Sequence, residues 1–466
     1  MKKQITDEMK KMSWQERYHA SQIYTLRCKI DDTPGMLGKL ITTIGQTKTH
    51  LGDISTIGIE SHSKIRDVQV YCTNKEHLEK LLESVKKVDG IQILNIRDDV
   101  LEIHRRGAIE IKSRVAIKSL TDLRMLYTPG VASVCTKIVE DPASAWDLTG
   151  ICDRVAIVTN GTAVLGLGNI GVLPSLPVME GKAAIFAEFA NISAVPVLVD
   201  SKDPDKVVEV VSMLASSYGA IQLEDISAPT CFEIEQKLQD KLDIPVLHDD
   251  QHGTATVLLA ALINALKRTN KDPKKCTAII LGAGAAGYAI TRTLLEFGLK
   301  DIVVYDSFGP IYKGRTEKMN TYKQQLAEIT NKMNVKGNLL EGFKDRDIFI
   351  GVAQPKAVSK QMISAMAKNS LVFPLSNPVG EITVEEAFEA GAAIAADGRT
   401  INNALAYPGL FRGALNVKAK DITMAMQLAA ARTLAEIAPE GMLLPDILDK
   451  ETHNSVIKAV EQAYKE

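Results

Sequence analysis

No CxxC pair occurs among the six cysteines, Cys28, Cys72, Cys135, Cys152, Cys231 and Cys276. Thiols scattered in this way exclude a zinc ribbon and favour a reduced, cytoplasmic setting over a disulfide framework. Net charge is nearly absent too, since 55 Lys and Arg stand against 57 Asp and Glu, leaving −2 at neutral pH. Without a global basic field, nucleic acid and anionic membrane are poor candidates for the main partner, and Lys10-Lys11 and Arg105-Arg106 read as solvated faces. Also missing is any apolar run long enough to span a bilayer, and no apolar stretch follows the N-terminal lysines, so no membrane anchor or secretory signal is expected. What the chain does have is bulk. Its 466 residues at 45% hydrophobic content can bury two or three domain cores.

Residues 1–22 are polar and read as a leader outside any core. Residues 24–30 alternate as a strand, Leu37, Leu40, Ile41 and Ile44 fall at helical spacing, and residues 54–59 and 65–71 alternate again. A helix carrying Leu78, Leu81, Leu82 and Val85 precedes a last strand over residues 91–96, which gives a ferredoxin-like βαββαβ unit over residues 23–100. Asp31-Asp32-Thr33-Pro34-Gly35-Met36-Leu37-Gly38-Lys39-Leu40 resembles the opening of an ACT domain. That resemblance implies a module that pairs with a second copy and binds an amino acid or another small effector; a purely structural dimerisation module is the alternative.

Beyond a linker near residues 101–118 the composition changes to unbroken apolar runs, such as Val155-Ala156-Ile157-Val158 and Val195-Pro196-Val197-Leu198-Val199. Such runs suit parallel strands covered on both faces, so an α/β catalytic domain is expected over residues 101–270. Two of its strands end on paired acids, in Leu223-Glu224-Asp225-Ile226-Ser227 and in Leu247-His248-Asp249-Asp250-Gln251-His252-Gly253-Thr254. Massed carboxylates at strand C-termini repel one another and are costly to desolvate, so a hard divalent cation, Mg²⁺ or Mn²⁺, is expected among them. The competing reading makes Glu224 and Asp250 helix N-cap acids. Cys231, nearby, reads as packing.

Residues 271–466 carry a more specific pattern. A strand at residues 278–281 runs into Gly282-Ala283-Gly284-Ala285-Ala286-Gly287, which opens a helix, and the next strand ends on Asp306. A GxGxxG in that context is a dinucleotide site of the Rossmann type, with the pyrophosphate at the helix N-terminus. Asp306 can accept from ribose hydroxyls and would repel a 2′-phosphate, which favours NAD over NADP; Lys313 and Arg315 keep NADP open. Tyr127 before Pro129-Gly130, Lys182 after Glu180-Gly181, and the loop asparagines Asn377, Asn402 and Asn403 are further polar candidates in otherwise apolar surroundings.

Taken in series, Tyr127-Thr128-Pro129-Gly130, Leu165-Gly166-Leu167-Gly168, Met179-Glu180-Gly181-Lys182, Leu223-Glu224-Asp225, His248-Asp249-Asp250 and the glycine turn resemble the motifs of the shorter bacterial malic enzymes. The resemblance spans residues 110–435. It implies oxidative decarboxylation of L-malate to pyruvate and CO2 with NAD and a divalent metal in a cytoplasmic homo-oligomer, a dimer or a dimer of dimers. It further implies Glu224, Asp225 and Asp250 as metal ligands, Lys182 as general base in neutral form, and Tyr127 as general acid. Asp249 supports the metal ligands, and Asn377 and Asn403 stand near substrate and nicotinamide. A malolactic activity with tightly held NAD is a rival, as is a regulatory protein that binds dinucleotide without turnover.

Overall fold

The structure, a computed structural model, describes residues 22–377 and 379–465. The expected leader therefore lies outside the described residues, apart from Gln22. The chain divides into two compact units, residues 1–110 and 111–466.

In the first unit, β1 (Gln22–Asp31), α1 (Met36–Gln46), β2 (His50–Ile59), β3 (Ser63–Cys72), α2 (Lys75–Lys86) and β4 (Ile91–Asp98) follow in the expected βαββαβ order. The antiparallel sheet runs β2-β3-β1-β4, so the two central strands are those flanked on both sides. Its core forms because α1 turns Met36, Leu40 and Ile44 inward and α2 turns Leu78, Leu81 and Val85 inward, one face of each helix at 3.6-residue spacing. They meet Leu26, Cys28, Val68 and Val70 of the central strands.

The second unit opens on α3 (Leu120–Leu126) and α4 (Val131–Glu140), neither of which buries a single residue. A parallel sheet in the order β6-β5-β7-β8 follows, built from β5 (Arg154–Thr159), β6 (Ser193–Leu198), β7 (Ala220–Leu223) and β8 (Val246–His248). Crossovers are made by α5 (Val172–Ala190), α6 (Pro204–Leu214) and α7 (Thr230–Lys241). Every residue of β7 and β8 is buried, as parallel strands covered on both faces must be. The long α8 (Asp249–Thr269) leads to the second sheet and begins on the paired acids. Asp249 and Asp250 therefore form its first turn, where the helix dipole favours negative charge.

The second sheet runs β11-β10-β9-β12-β13-β14, parallel except for the short β11 (Gly309–Pro310). Its strands β9 (Thr277–Leu281), β10 (Asp301–Asp306), β12 (Ile348–Gly351), β13 (Leu371–Pro374) and β14 (Ile394–Ala395) are joined by helices including α9 (Ala285–Phe297) and α10 (Thr321–Ile329). After the asparagine loop the chain forms two helices, α11 (Tyr407–Asn416) and α12 (Met424–Ile437). The chain breaks between them at Lys418, whose φ of 51° leaves the right-handed helical region, and restarts where the Thr423 side chain caps α12. A last helix, α13 (Lys450–Lys465), packs on α11 and α12.

Candidate active site

The ends of β7 and β8 lie side by side in the sheet, and this brings Glu224 and Asp225 to Asp249 and Asp250. Ligand oxygens of Glu224, Asp225 and Asp250 all fall within 4.8 Å of one another. Neither acid pair caps a helix: the cap position of α8 is His248, and the Asp250 carboxylate instead accepts the Asp225 backbone N–H at 2.8 Å. Asp225 holds a left-handed backbone (φ 53°), a conformation a β-branched residue would resist. Burial, with Asp250, Asp249 and Asp225 alongside, pushes the Glu224 carboxyl well above its usual range, only partly countered by Lys182. A hard, oxygen-only donor set under like-charge stress fits a divalent cation such as Mn²⁺ or Mg²⁺.

Lys182, on α5, reaches the same cluster. Its Nζ contacts Asp249 Oδ2 and lies 2.9 Å from Glu224 Oε1. Burial opposes the charge, yet Asp249 and Glu224 outweigh it and hold the ammonium well above the usual lysine range. Two buried carboxylates thus flank the amine from one side. Asn403 Nδ2 donates to Asp249 Oδ2 at 2.8 Å, so Asp249 is shared between the lysine and the asparagine loop. Lys182, Glu224, Asp225, Asp250 and Asn403 line a cleft of about 400 Å³ that also takes in Ala286, Asn377 and Asn402.

Tyr127 does not join them. It stands 68% exposed at the end of α3 and is absent from the cleft lining. The tyrosine beside Lys182 is Tyr407, with Nζ 4.6 Å from its ring centroid.

Behind Asp250 is a buried network. His248 Nε2 sits 3.0 Å from Asp250 Oδ2, and the His248 backbone N–H donates to Glu235 Oε1 at 2.7 Å. Gln251 Nε2 donates to Glu235 Oε2 at 2.9 Å. Cys231, buried as packing would have it, lies against His248; against the pull of burial, Asp250 and Cys231 raise this imidazole well above its ordinary range. Glu235, Tyr407 and Lys323 went unnoticed in the sequence. Glu235 and Lys323 lie on ordinary amphipathic helices, and only Tyr407 had a local signal, its place in the asparagine loop motif.

A second cavity, of about 730 Å³, is lined by Gly282, Ala283, Gly284, Asp306, Lys323 and neighbours. The three glycines of the turn have separate reasons. A Cβ on Gly282 (φ 118°) would come within 2.5 Å of the Val352 carbonyl oxygen, and one on Gly287 within 1.9 Å of the Gly282 carbonyl oxygen. At Gly284 nothing lies within 4 Å, so that backbone faces open space where a pyrophosphate can approach the start of α9. Asp306 is not a bare acid: Arg315 Nη2 donates to both its oxygens at 2.9 and 3.0 Å, and Lys323 Nζ to Oδ2 at 2.6 Å. Burial works against the carboxylate, but Lys323, the Phe308 backbone N–H and Arg315 together lower its pKa. Of the two cations that keep NADP open, Arg315 reaches this position, whereas Lys313 pairs with Glu328.

A doubly wound sheet with a glycine turn, facing a cleft of carboxylates around a buried lysine, defines a dinucleotide-dependent oxidoreductase whose acidic cluster has the donor set for a divalent cation. Comparison with known proteins narrows the class. Residues 106–239 match the malic enzyme N-terminal domain and residues 251–462 the malic enzyme NAD binding domain. Over 456 residues the chain is 41% identical to an NAD-dependent malic enzyme of Geobacillus stearothermophilus, covering 96% of this chain and 94% of that protein. It is 44% identical over 385 residues to a bifunctional malic/malolactic enzyme of Bacillus subtilis (strain 168), covering 80% of this chain and 94% of that one. The crystal structure of an NAD-dependent malic enzyme from Thermotoga maritima superposes with a TM-score of 0.76 at 41% identity, covering 78% of this chain and 99% of that one. The chain belongs to the malic enzyme family. Among the described residues, no helix is long and apolar enough to cross a membrane.

Proposed function

We propose that the protein oxidises L-malate with NAD⁺ and releases pyruvate and CO2, with Glu224, Asp225 and Asp250 holding Mn²⁺ or Mg²⁺. The observation that carries this reading is the placement of Lys182 Nζ 2.9 Å from Glu224, in a cleft that also includes the start of α9 at Ala286. A bound cation would draw electron density from the C2 oxygen, and NAD⁺ would accept the hydride from C2. Lys182 and Asp249 form the proton-handling pair for the C2 hydroxyl. Burial pushes the Asp249 carboxyl above its ordinary range and Lys182 counters that in part, so the two groups are coupled through one short contact. Asn403 keeps Asp249 turned toward the lysine, and Asn377 lines the cleft as a donor for substrate or nicotinamide.

Tyr127 serves as the acid that protonates C3 after CO2 leaves, and it does so from a second copy of the chain. In support, it is exposed on a segment whose helices bury nothing and which presents Leu120, Met125 and Leu126 to solvent, as a subunit interface would. The three-part division is retained: residues 23–100 as an ACT-like regulatory module open to an amino acid or similar effector, residues 101–270 for malate and metal, and residues 271–466 for NAD. Deleting residues 1–110 leaves turnover but alters its response to effectors or the assembly; unchanged kinetics and assembly would refute the regulatory assignment.

The test is an L-malate assay with Mn²⁺ and NAD⁺ that follows NADH and identifies the product. Stoichiometric NADH and pyruvate are expected. The similarity to a bifunctional malic/malolactic enzyme favours one second reading, conversion of malate to lactate with NAD held in place. Lactate formed without free NADH would establish that reading and overturn the first. Lys182→Ala should abolish malate oxidation while leaving part of the oxaloacetate decarboxylation; equal loss of both contradicts the lysine's assignment.

A further inference from the structure

We propose that Tyr407 is a positioning residue for Lys182, holding that side chain at both ends. This rests on the reading of Lys182 as the group that handles the substrate hydroxyl proton. The Tyr407 ring face lies under Nζ, 4.6 Å from centroid to nitrogen, and the Tyr407 hydroxyl donates to the Lys182 backbone carbonyl at 3.4 Å. One side chain therefore touches the tip and the root of a long, flexible lysine. The ring is itself held: Phe186, one turn along α5 from Lys182, meets it edge-on at 4.8 Å and 73°, and Phe411 backs Phe186 at 5.5 Å and 80°. Tyr407 is fully buried, and only 11% of the Lys182 side chain is exposed. The four other described cation–aromatic contacts involve the exposed residues Arg292, Lys318, Lys336 and Lys418, where water weakens the attraction.

The geometry gives the ring a specific task. Asp249 and Glu224 attract Nζ toward the acids, and the ring face bounds it from below, which leaves the open side of the cleft as the direction in which Nζ can meet a substrate oxygen. Loss of the ring removes the wall that bounds Nζ on the side away from the acids, so the amine is no longer held to one position, and the step that needs Nζ slows while binding of malate, NAD⁺ and metal persists.

Tyr407→Phe keeps the ring face and the Phe186 contact, and Tyr407→Leu removes both. In steady-state assays with saturating Mn²⁺, Tyr407→Phe should retain kcat within about threefold, whereas Tyr407→Leu should lose roughly 3- to 30-fold in kcat, the span of a desolvated cation–π contact. The KM values for L-malate and NAD⁺ should stay within about twofold of wild type, since binding is not the affected step. Equal losses in the Phe and Leu variants, an unchanged kcat in Tyr407→Leu, or a loss confined to KM would each overturn the proposal. If Tyr407→Leu does not fold, Tyr407→Met, a less cavity-forming replacement, is read against the same criteria. The underlying reading fails separately: if Lys182→Ala oxidises malate at the wild-type rate, the lysine's role falls whatever the Tyr407 variants do.

Discussion

At the residue scale, single atoms decide what the site tolerates. A Cβ on Gly253 would stand 1.9 Å from Asp249 Oδ1, one helical turn back in α8, so a side chain there drives Asp249 off Lys182 and Asn403. Gly253→Ala should cost about 1–3 kcal/mol of stability through overpacking and most of the malate turnover. Thermal unfolding together with kcat checks this, and wild-type turnover would show that Asp249 can move freely. The dinucleotide cavity gives a second residue-scale expectation. Asp306 carries one negative charge against Arg315 and Lys323, so its removal leaves two cations at the ribose site. Asp306→Ser should raise the NADP⁺ to NAD⁺ ratio of kcat/KM by about tenfold or more, the scale of one charge-assisted hydrogen bond. An unchanged ratio would show that Asp306 serves only to anchor Arg315.

Single elements are tied together by a few ion pairs. Arg412 on α11 donates to Asp153 Oδ1 at 2.7 Å, and Arg114 to Asp153 Oδ2 at 3.0 Å, linking the start of β5 to α11 and to the segment before α3. Burial opposes the Asp153 charge, but the two guanidinium groups lower its pKa in the folded protein. A lowered carboxylate pKa contributes stability above its unfolded value of about 3.9 and loses it as the pH falls through the folded value. Asp153→Asn should therefore lower the thermal midpoint by about 1–3 °C at pH 7, with the gap closing below about pH 3.9. A gap independent of pH would assign the effect to packing.

For the whole molecule, the expectation is that two copies share their active sites. If Tyr127 acts across a two-fold interface, Tyr127→Phe and Lys182→Ala chains, each inactive, should complement when refolded together. A hybrid dimer then holds one intact site of two, and random pairing restores about a quarter of wild-type activity. Sites complete within one chain would give no recovery, and that result would return Tyr127 to an intrasubunit role or to none.

Much of this was legible in the chain itself. The βαββαβ spacing, the apolar runs of β5 to β8, the glycine turn between β9 and α9 and the acids at strand ends are local patterns, set by the two- and 3.6-residue periods of the backbone and by where polar groups can be afforded. Proximity of Glu224 and Asp225 to Asp250 was legible as well, because adjacent parallel strands end at the same edge. What only the tertiary structure decided are the pairings made across long stretches of chain. Tyr407 meets Lys182 across 225 positions and Asn403 meets Asp249 across 154, distances over which no backbone period carries information. The charge state of Lys182, the neutralisation of Asp306 by Lys323 and the exposure of Tyr127 share that origin. Each depends on the whole set of charges and surfaces that the fold gathers around one side chain, not on the residues beside it in sequence.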